Sequence, residues 1–101
     1  MAKAYWIARV DVKDDEGYKG YVAANAAAFK KYNAKFIVRG ATPITKSGTA
    51  RARNVVIEFA DLATAKACYE SPEYQHAIAV RGDHAVVDMI IIEGYDGPQP
   101  S

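Results

Sequence analysis

A set of charged and ionisable side chains has the chemistry to bind or activate a small organic molecule: Arg9, Arg39, Arg53, Glu58, His84 and Asp88. An arginine guanidinium can hold a carboxylate or an enolate through two parallel hydrogen bonds. A histidine in the loop before the last strand can act as a general base over such a ligand. We therefore predict that these side chains bind a small organic acid.

Each of these side chains also has a structural interpretation. Charged groups that become buried are normally paired, so the alternative for Arg9, Arg39, Glu58 and Asp88 is an ion-pair network within or between subunits. His84 is alternatively a surface histidine, and Arg53 a solvated residue at the start of a strand. We expect Arg9 and Glu58 to meet on adjacent antiparallel strands, with donors of Arg9 left for an anionic ligand.

Other reactive residues carry weaker signals. His76 has Glu73 three positions before it but no further ligand at helical spacing, and helical metal centres need several such contributors. Cys68 has no basic neighbour that the sequence places beside it, which favours a small buried apolar group over a nucleophile. No glycine-rich phosphate loop or catalytic-triad motif is present. The sequence therefore predicts no metal and no cofactor.

Composition restricts the class of protein. With 101 residues, 50% hydrophobic and 25% charged, we expect one globular domain over residues 1–95, followed by a turn-rich tail at 96–101. A net charge of +1 provides no field that would gather nucleic acid or anionic lipid. No stretch approaches the ~18 apolar residues of a membrane span, and no signal-peptide pattern opens the chain. The expected location is the cytoplasm.

The hydrophobic pattern predicts which elements position these residues. Four strands are predicted, at residues 5–12, 34–40, 53–59 and 85–93. A long helix follows the first strand as far as Tyr32, and two short helices begin at Asp61 and Ser71 after the third strand. The resulting βαββαβ order is that of ferredoxin-like α+β folds, in which helices cover one face of a four-stranded antiparallel sheet.

Alternation along the strands leaves the other face of the sheet without cover. The residues expected there are Tyr5, Ile7, Arg9, Ile37, Arg39, Val56 and Glu58, joined for one of two phases of the last strand by Asp88, Ile90 and Ile92. The long helix is expected to bury Tyr18, Tyr21, Val22, Ala26, Phe29 and Tyr32. Monomers seldom leave a large apolar patch in water. We therefore expect a homodimer, with the ligand in a cleft between the sheet and its partner.

Several segments together resemble a known bacterial family. They are Tyr-Trp-Ile-Ala-Arg-Val-Asp-Val near the start, Tyr18 with Tyr21-Val22, Phe-Ile-Val-Arg-Gly at 36–40, Arg-Asn-Val-Val-Ile-Glu-Phe at 53–59, Ser-Pro-Glu-Tyr-Gln at 71–75 and Glu-Gly-Tyr at 93–95. This combination is similar to the family catalogued as domain of unknown function 1330. The resemblance implies a dimeric α+β barrel, shared with antibiotic-biosynthesis-type monooxygenases, EthD-like proteins and haem-degrading enzymes. It implies no particular reaction, because the family has no agreed activity.

Two classes of function follow. The first is a noncatalytic dimer that binds a small aromatic or carboxylic molecule or acts only as a structural module, favoured because no acid/base constellation is recognisable in the sequence. The alternative is a cofactor-independent monooxygenase- or isomerase-like enzyme, and the residues that would favour it are Arg9, Glu58, Asp88, Trp6 and His84.

Overall fold

The structure is a computed structural model that describes residues 2–100. Its elements in chain order are β1 (Ala4–Val12), α1 (Asp15–Lys31), β2 (Lys35–Arg39), β3 (Arg53–Phe59), α2 (Leu62–Glu70), α3 (Pro72–Arg81) and β4 (Ala85–Glu93). The strands form one antiparallel sheet in the order β2-β3-β1-β4. The predicted ferredoxin-like α+β fold is confirmed.

The two short helices begin where capping residues predict. The Asp61 side chain accepts a hydrogen bond from the backbone N–H of Thr64 at 2.7 Å, and the Ser71 hydroxyl accepts one from the N–H of Tyr74 at 3.1 Å. Pro72 occupies the first turn of α3, where its missing N–H costs no helical hydrogen bond. Each cap satisfies a backbone donor that the helix itself cannot satisfy.

The core lies between the helices and one face of the sheet. Its largest fully buried side chains are Trp6, Phe59, Cys68 and Tyr74. The Trp6 ring lies within 5.1 Å of the Phe59 ring and 4.7 Å of the Tyr74 ring, measured between centroids. Its indole N–H donates to the carbonyl of Ala65 at 3.0 Å, so this polar atom enters the core with a partner.

The buried face of α1 differs from the predicted one at positions 25, 26 and 28. The helix buries Tyr21, Asn25, Ala28 and Phe29, whereas Ala26 is exposed. The prediction of Ala26 as a buried residue is therefore wrong. Position 25 lies four residues after Tyr21 and shares its face, so an asparagine occupies a place where the apolar pattern suggested an alanine.

A β-bulge in β2 changes which side of the sheet Arg39 occupies. Phe36 pairs with Ile57, but the register shifts before Val38, and Arg39 then pairs with Val55. Ile57 and Val55 are buried on the helix-facing side, and directly paired residues point to the same face. The expectation that Arg39 lies on the opposite face is wrong, because the extra residue of the bulge reverses the alternation.

The uncovered side of the sheet, here called the outer face, carries several exposed apolar side chains. Pairing of Ile7 with Ile90 and of Arg9 with Asp88 selects the phase of β4 that adds to this face. Its exposed apolar side chains are Ile7 (37%), Val38 (37%), Val86 (39%), Ile90 (53%) and Ile92 (46%). No described element of the chain covers them.

Within residues 2–100, none of the helices is both long and apolar enough to cross a membrane. The same part of the chain has no group of three or more His, Cys, Asp or Glu side chains placed to share a metal ion. Residues 94–100 form neither helix nor strand, and Ser101, the last residue of the predicted tail, lies outside the described residues. The cytoplasmic location stays a prediction.

Candidate functional site

A cavity lies on the helix-facing side of the sheet, beneath α1, and is here called the α1 cavity. The space that the centre of a water molecule can reach in it is about 40 Å³, room for a few waters. Its aromatic lining is Trp6, Tyr18, Tyr21, Phe29, Phe36 and Tyr74. Polar groups enter it from Asn25, Arg39 and Arg53. An apolar lining with a few polar groups is typical of sites for small organic molecules.

Arg53 supplies a buried donor to this cavity. Its guanidinium carbon lies 5.7 Å from the centre of the Tyr18 ring, and its Nε atom is buried without a hydrogen-bond partner among the described residues. A buried donor left unpaired costs about 1–3 kcal/mol. An acceptor atom of a ligand that reached Nε would therefore recover part of this energy.

Gly40 leaves the space that Arg53 occupies. A Cβ atom at position 40 would lie 2.3 Å from Nη1 of Arg53, and the φ of Gly40 is +81°. Both the close approach and the left-handed backbone favour glycine here. The loop after β2 thus holds the Arg53 side chain at the cavity edge.

Arg39 is the second cation of the α1 cavity. Its guanidinium carbon lies 4.1 Å from the centre of the Phe36 ring. Within residues 2–100, neither Arg39 nor Arg53 has a carboxylate within ion-pair distance. The edge of the aromatic cavity therefore carries two guanidinium groups whose positive charge no described carboxylate balances.

Hydroxyl groups of Tyr21 and Tyr74 meet inside the α1 cavity. Their oxygens lie 2.5 Å apart, and because one O–H makes this bond, the other is left to donate elsewhere. Burial raises the pKa of Tyr74 and also that of Tyr18, so both phenols are neutral at physiological pH. Neutral phenols can donate to a carbonyl or carboxylate oxygen of a ligand.

The chemistry of the lining favours binding over proton transfer. None of the side chains that line the α1 cavity is a carboxylate, a histidine or a cysteine. A general base with a pKa near neutral is drawn from these types in most enzymes. The α1 cavity thus offers donors and cations, but no obvious proton acceptor.

Arg9 and Asp88 lie on the outer face and are paired with each other. Arg9 Nη2 lies 3.4 Å from Asp88 Oδ2. Arg51 joins them, with Nη2 at 2.8 Å from the same Asp88 oxygen and Nη1 at 2.7 Å from Asp11 Oδ2. For these residues the structure has the ion-pair network that was the alternative to a ligand site. Arg51 is a member that the sequence did not predict.

The expected contact between Arg9 and Glu58 is not formed. The register pairs Arg9 with Asn54, whereas Glu58 lies opposite Tyr5 near the other end of β1. Glu58 instead forms an ion pair with Lys3 at 3.3 Å. The prediction was wrong because adjacency of two strands does not determine which residues face each other; the register does.

His84 packs against the start of α1. Its Nδ1 lies 3.0 Å from Asp14 Oδ2, and its carbonyl oxygen accepts the N–H groups of Lys13 and Asp14 at 2.8 and 3.1 Å. A Cβ at Gly17 would lie 2.3 Å from the imidazole, so the ring fits only beside a glycine. His84 is not among the residues that line the α1 cavity.

Cys68 is fully buried between the helices and the sheet. Burial raises the pKa of its thiol to about 12. Because the thiolate is the nucleophilic form, a thiol of this kind is unreactive at neutral pH. This agrees with the interpretation of Cys68 as a small buried apolar group.

The α1 cavity contains residues that were not proposed as site residues from the sequence. Asn25 carried a usable signal, since a polar residue four positions after Tyr21 interrupts the apolar face of the helix. Tyr74 was noted only as part of the Ser-Pro-Glu-Tyr-Gln segment. Of the residues that were proposed, the structure brings Arg39 and Arg53 together at the cavity.

Residues 3–95 match the model of a family described as domain of unknown function, DUF1330. The chain belongs to the DUF1330 family. No curated protein matches this DUF1330 chain. The family resemblance stated from the sequence is confirmed over nearly the whole length.

Solved structures share the fold of this DUF1330 protein at low sequence identity. The methylated RPA0582 protein has a TM-score of 0.76 at 14% identity, covering 97% of this chain and 84% of that chain. A second structure of RPA0582 is described as a protein of unknown function from Rhodopseudomonas palustris.

Two further structures represent the wider range of proteins with this fold. SnoaB, a cofactor-independent oxygenase from Streptomyces nogalater, has a TM-score of 0.59 at 12% identity, covering 99% of this chain and 97% of that chain. A dimeric ferredoxin-like protein of unknown function from Thermobifida fusca has a TM-score of 0.57 at 12% identity, with 88% and 90% coverage. At these identities the likeness is one of fold.

Proposed function

We propose that this DUF1330 protein binds a small organic acid in the α1 cavity. The observation that carries the proposal is the Arg53 guanidinium, which has a buried Nε without a partner at the edge of a cavity lined by aromatic rings. A carboxylate can accept two hydrogen bonds from such a group. The site differs from the predicted cleft between the sheet and its partner, because it lies within a single subunit.

Arg39 and the tyrosines support the same class of ligand. Arg39 adds a second positive charge without a carboxylate partner among residues 2–100. The rings of Tyr18 and Phe36 stack beneath the two guanidinium groups, and aromatic surface of this kind also suits a planar apolar ligand body. The hydroxyls of Tyr21 and Tyr74 offer a donor deeper inside.

Binding without catalysis is the function that we favour. The cavity lining has no carboxylate, histidine or cysteine to accept a proton. The alternative is a cofactor-independent monooxygenase- or isomerase-like activity, which the fold of SnoaB accommodates. One fold serves many functions, so this likeness does not favour the alternative.

We also propose that the protein is a homodimer that buries the outer face. The exposed apolar residues there form a patch rather than isolated surface positions, because they lie side by side on neighbouring strands. A structure with the same fold is described as dimeric. The Arg9–Asp88–Arg51 network would then lie in or beside the interface, where it sets the register between subunits. Absence of nucleic-acid and membrane partners stays a prediction.

Binding can be tested with benzoate, cinnamate and their uncharged amides. We expect the acids to raise the melting temperature and to give a measurable affinity by titration calorimetry, and the amides to bind at least about ten-fold more weakly. Arg53→Gln should weaken acid binding by about ten-fold or more. The matched control is Arg9→Gln, which removes a guanidinium from the outer face and should leave the affinity unchanged.

The same experiment can overturn the proposal. If no acid binds the parent protein, or if Arg53→Gln and Arg9→Gln bind the acids as the parent does, the α1 cavity is not an acid-binding site. Thermal melts of both variants show whether each remains folded. If only Arg9→Gln lost affinity for the acids, the binding site would lie on the outer face instead.

A further inference from the structure

A second cavity lies beside the α1 cavity, over the helix-facing side of the edge strand β4. It is here called the β4 groove, and about 270 Å³ of it can be reached by the centre of a water molecule. Its lining is Tyr69, Tyr74, Arg81, Val87, Met89 and Ile91. Because β4 has a neighbouring strand on one side only, the groove lies at the edge of the sheet.

The two cavities share a wall and a floor. Tyr74, Val87 and Met89 line both of them. Val87 and Met89 are alternate residues of β4 and point to the same side of the sheet. An elongated molecule lying along this floor could therefore extend from one cavity into the other, passing beside Tyr74.

Arg81 places a cation in the β4 groove. It ends α3, and its guanidinium carbon lies 5.0 Å from the centre of the Tyr21 ring. No carboxylate of residues 2–100 lies within ion-pair distance of it. Like Arg53, it rests on an aromatic ring of α1 and has its charge uncompensated by the protein.

We infer that the ligand is an elongated dianion, with one carboxylate at Arg53 and Arg39 and the other at Arg81. This inference rests on the proposed function of the α1 cavity. Arg39 and Arg53 line the α1 cavity, Arg81 lines the β4 groove, and the two cavities share the apolar residues Val87 and Met89. Two separate cationic groups joined by apolar surface are complementary to a dicarboxylate with an unsaturated or aromatic body. A monocarboxylate would leave one of the two ends without a counter-charge.

The test compares acids that share a body and differ by one carboxylate. Benzoate is paired with terephthalate, and cinnamate with 4-carboxycinnamate, so that two distances between the carboxylates are covered. By titration calorimetry we expect the better dianion to bind the parent protein about ten-fold or more tightly than its monoanion. Arg81→Gln should abolish that advantage and leave the affinity for the monoanion unchanged.

Two variants separate this inference from the proposed function. Arg53→Gln should weaken both members of a pair, whereas Arg9→Gln on the outer face should weaken neither. If monoanions bind but neither dianion binds more tightly, or if Arg81→Gln keeps the advantage, the inference is overturned and the proposed function stands. If no acid of either kind binds the folded parent protein, both are overturned.

Discussion

Arginine side chains of this protein divide by the side of the sheet on which they lie. On the outer face, Arg9 and Arg51 are paired with carboxylates. On the helix-facing side, Arg39, Arg53 and Arg81 rest on aromatic rings and have no ion-pair partner among residues 2–100. A paired guanidinium has little left to offer a ligand, whereas an unpaired one keeps its charge and donors available. This difference locates the candidate site.

Because Asp11 is hydrogen-bonded and paired in the folded state, it should make the free energy of unfolding depend on pH. A hydrogen bond from the Ala52 N–H, and then one from Arg51, hold the pKa of Asp11 below its usual 3.8. A lowered pKa stabilises the folded state above the unfolded value, and this stabilisation is lost as pH falls through the folded value. We expect urea titrations below pH 4 to show a weaker pH dependence for Asp11→Asn than for the parent.

The control for this prediction is Asp96→Asn, in the segment after β4. Asp96 is exposed and lies in no helix or strand, so its replacement should leave the dependence close to that of the parent. Parallel curves for Asp11→Asn and the parent would mean that the contacts with Ala52 and Arg51 do not persist in solution.

At the scale of elements, the junction of α2 and α3 positions a wall of both cavities. The Ser71 hydroxyl donates to the carbonyl of Cys68 at 2.7 Å and accepts from the N–H of Tyr74 at 3.1 Å. It therefore joins the last turn of one helix to the first turn of the next. Pro72 restricts the backbone at the same point. This junction positions Tyr74, in the first turn of α3, where it lines both the α1 cavity and the β4 groove.

Replacing Ser71 tests this junction. Ser71→Ala removes the cap of α3 and leaves the carbonyl of Cys68 without its hydroxyl donor, so we expect the free energy of unfolding to fall by about 1–2 kcal/mol. The measurement is a urea titration with the slope checked for two-state behaviour. Ser47→Ala, in the exposed loop between β2 and β3, is the control and should stay within about 0.5 kcal/mol of the parent. Equal loss in both variants would contradict the capping role.

At the scale of the whole molecule, the outer face of the sheet is expected to be covered by a second copy of the chain. Helices cover one face of the sheet, and the apolar residues on the other remain exposed in the single chain. A second sheet packed face to face, related by two-fold symmetry, would bury each of them at once. The α1 cavity and the β4 groove lie on the opposite side, so dimerisation and ligand binding should be separable.

A substitution at Ile90 tests the proposed dimer interface. It is 53% exposed and pairs with Ile7 in the middle of the outer face, so Ile90→Asp would place a charge in the proposed interface. We expect sedimentation at micromolar concentration to show a dimer for the parent and a monomer for the variant. Ile44→Asp, at a more exposed site in the loop, should remain dimeric. A monomeric parent would contradict the proposal directly.

The sequence by itself determined the elements of this protein and their order. Strand alternation, the Asp61 and Ser71 caps and the proline after Ser71 are signals carried by neighbouring residues, and the structure has each of them. The apolar outer face followed from the same alternation. Such features depend on contacts over a few positions, which a sequence displays directly.

Only the tertiary structure decided which side chains meet. Because of the bulge in β2, Arg39 lies on the helix-facing side of the sheet. The register of β1 with its two neighbours places Arg9 opposite Asp88 and away from Glu58. Asn25 and Tyr74, which are far apart in the chain, became walls of one cavity. Contacts of this kind depend on strand register and packing across the whole sheet, where a shift of one residue exchanges the two faces. That is why the elements could be predicted, whereas the site had to be located in the structure.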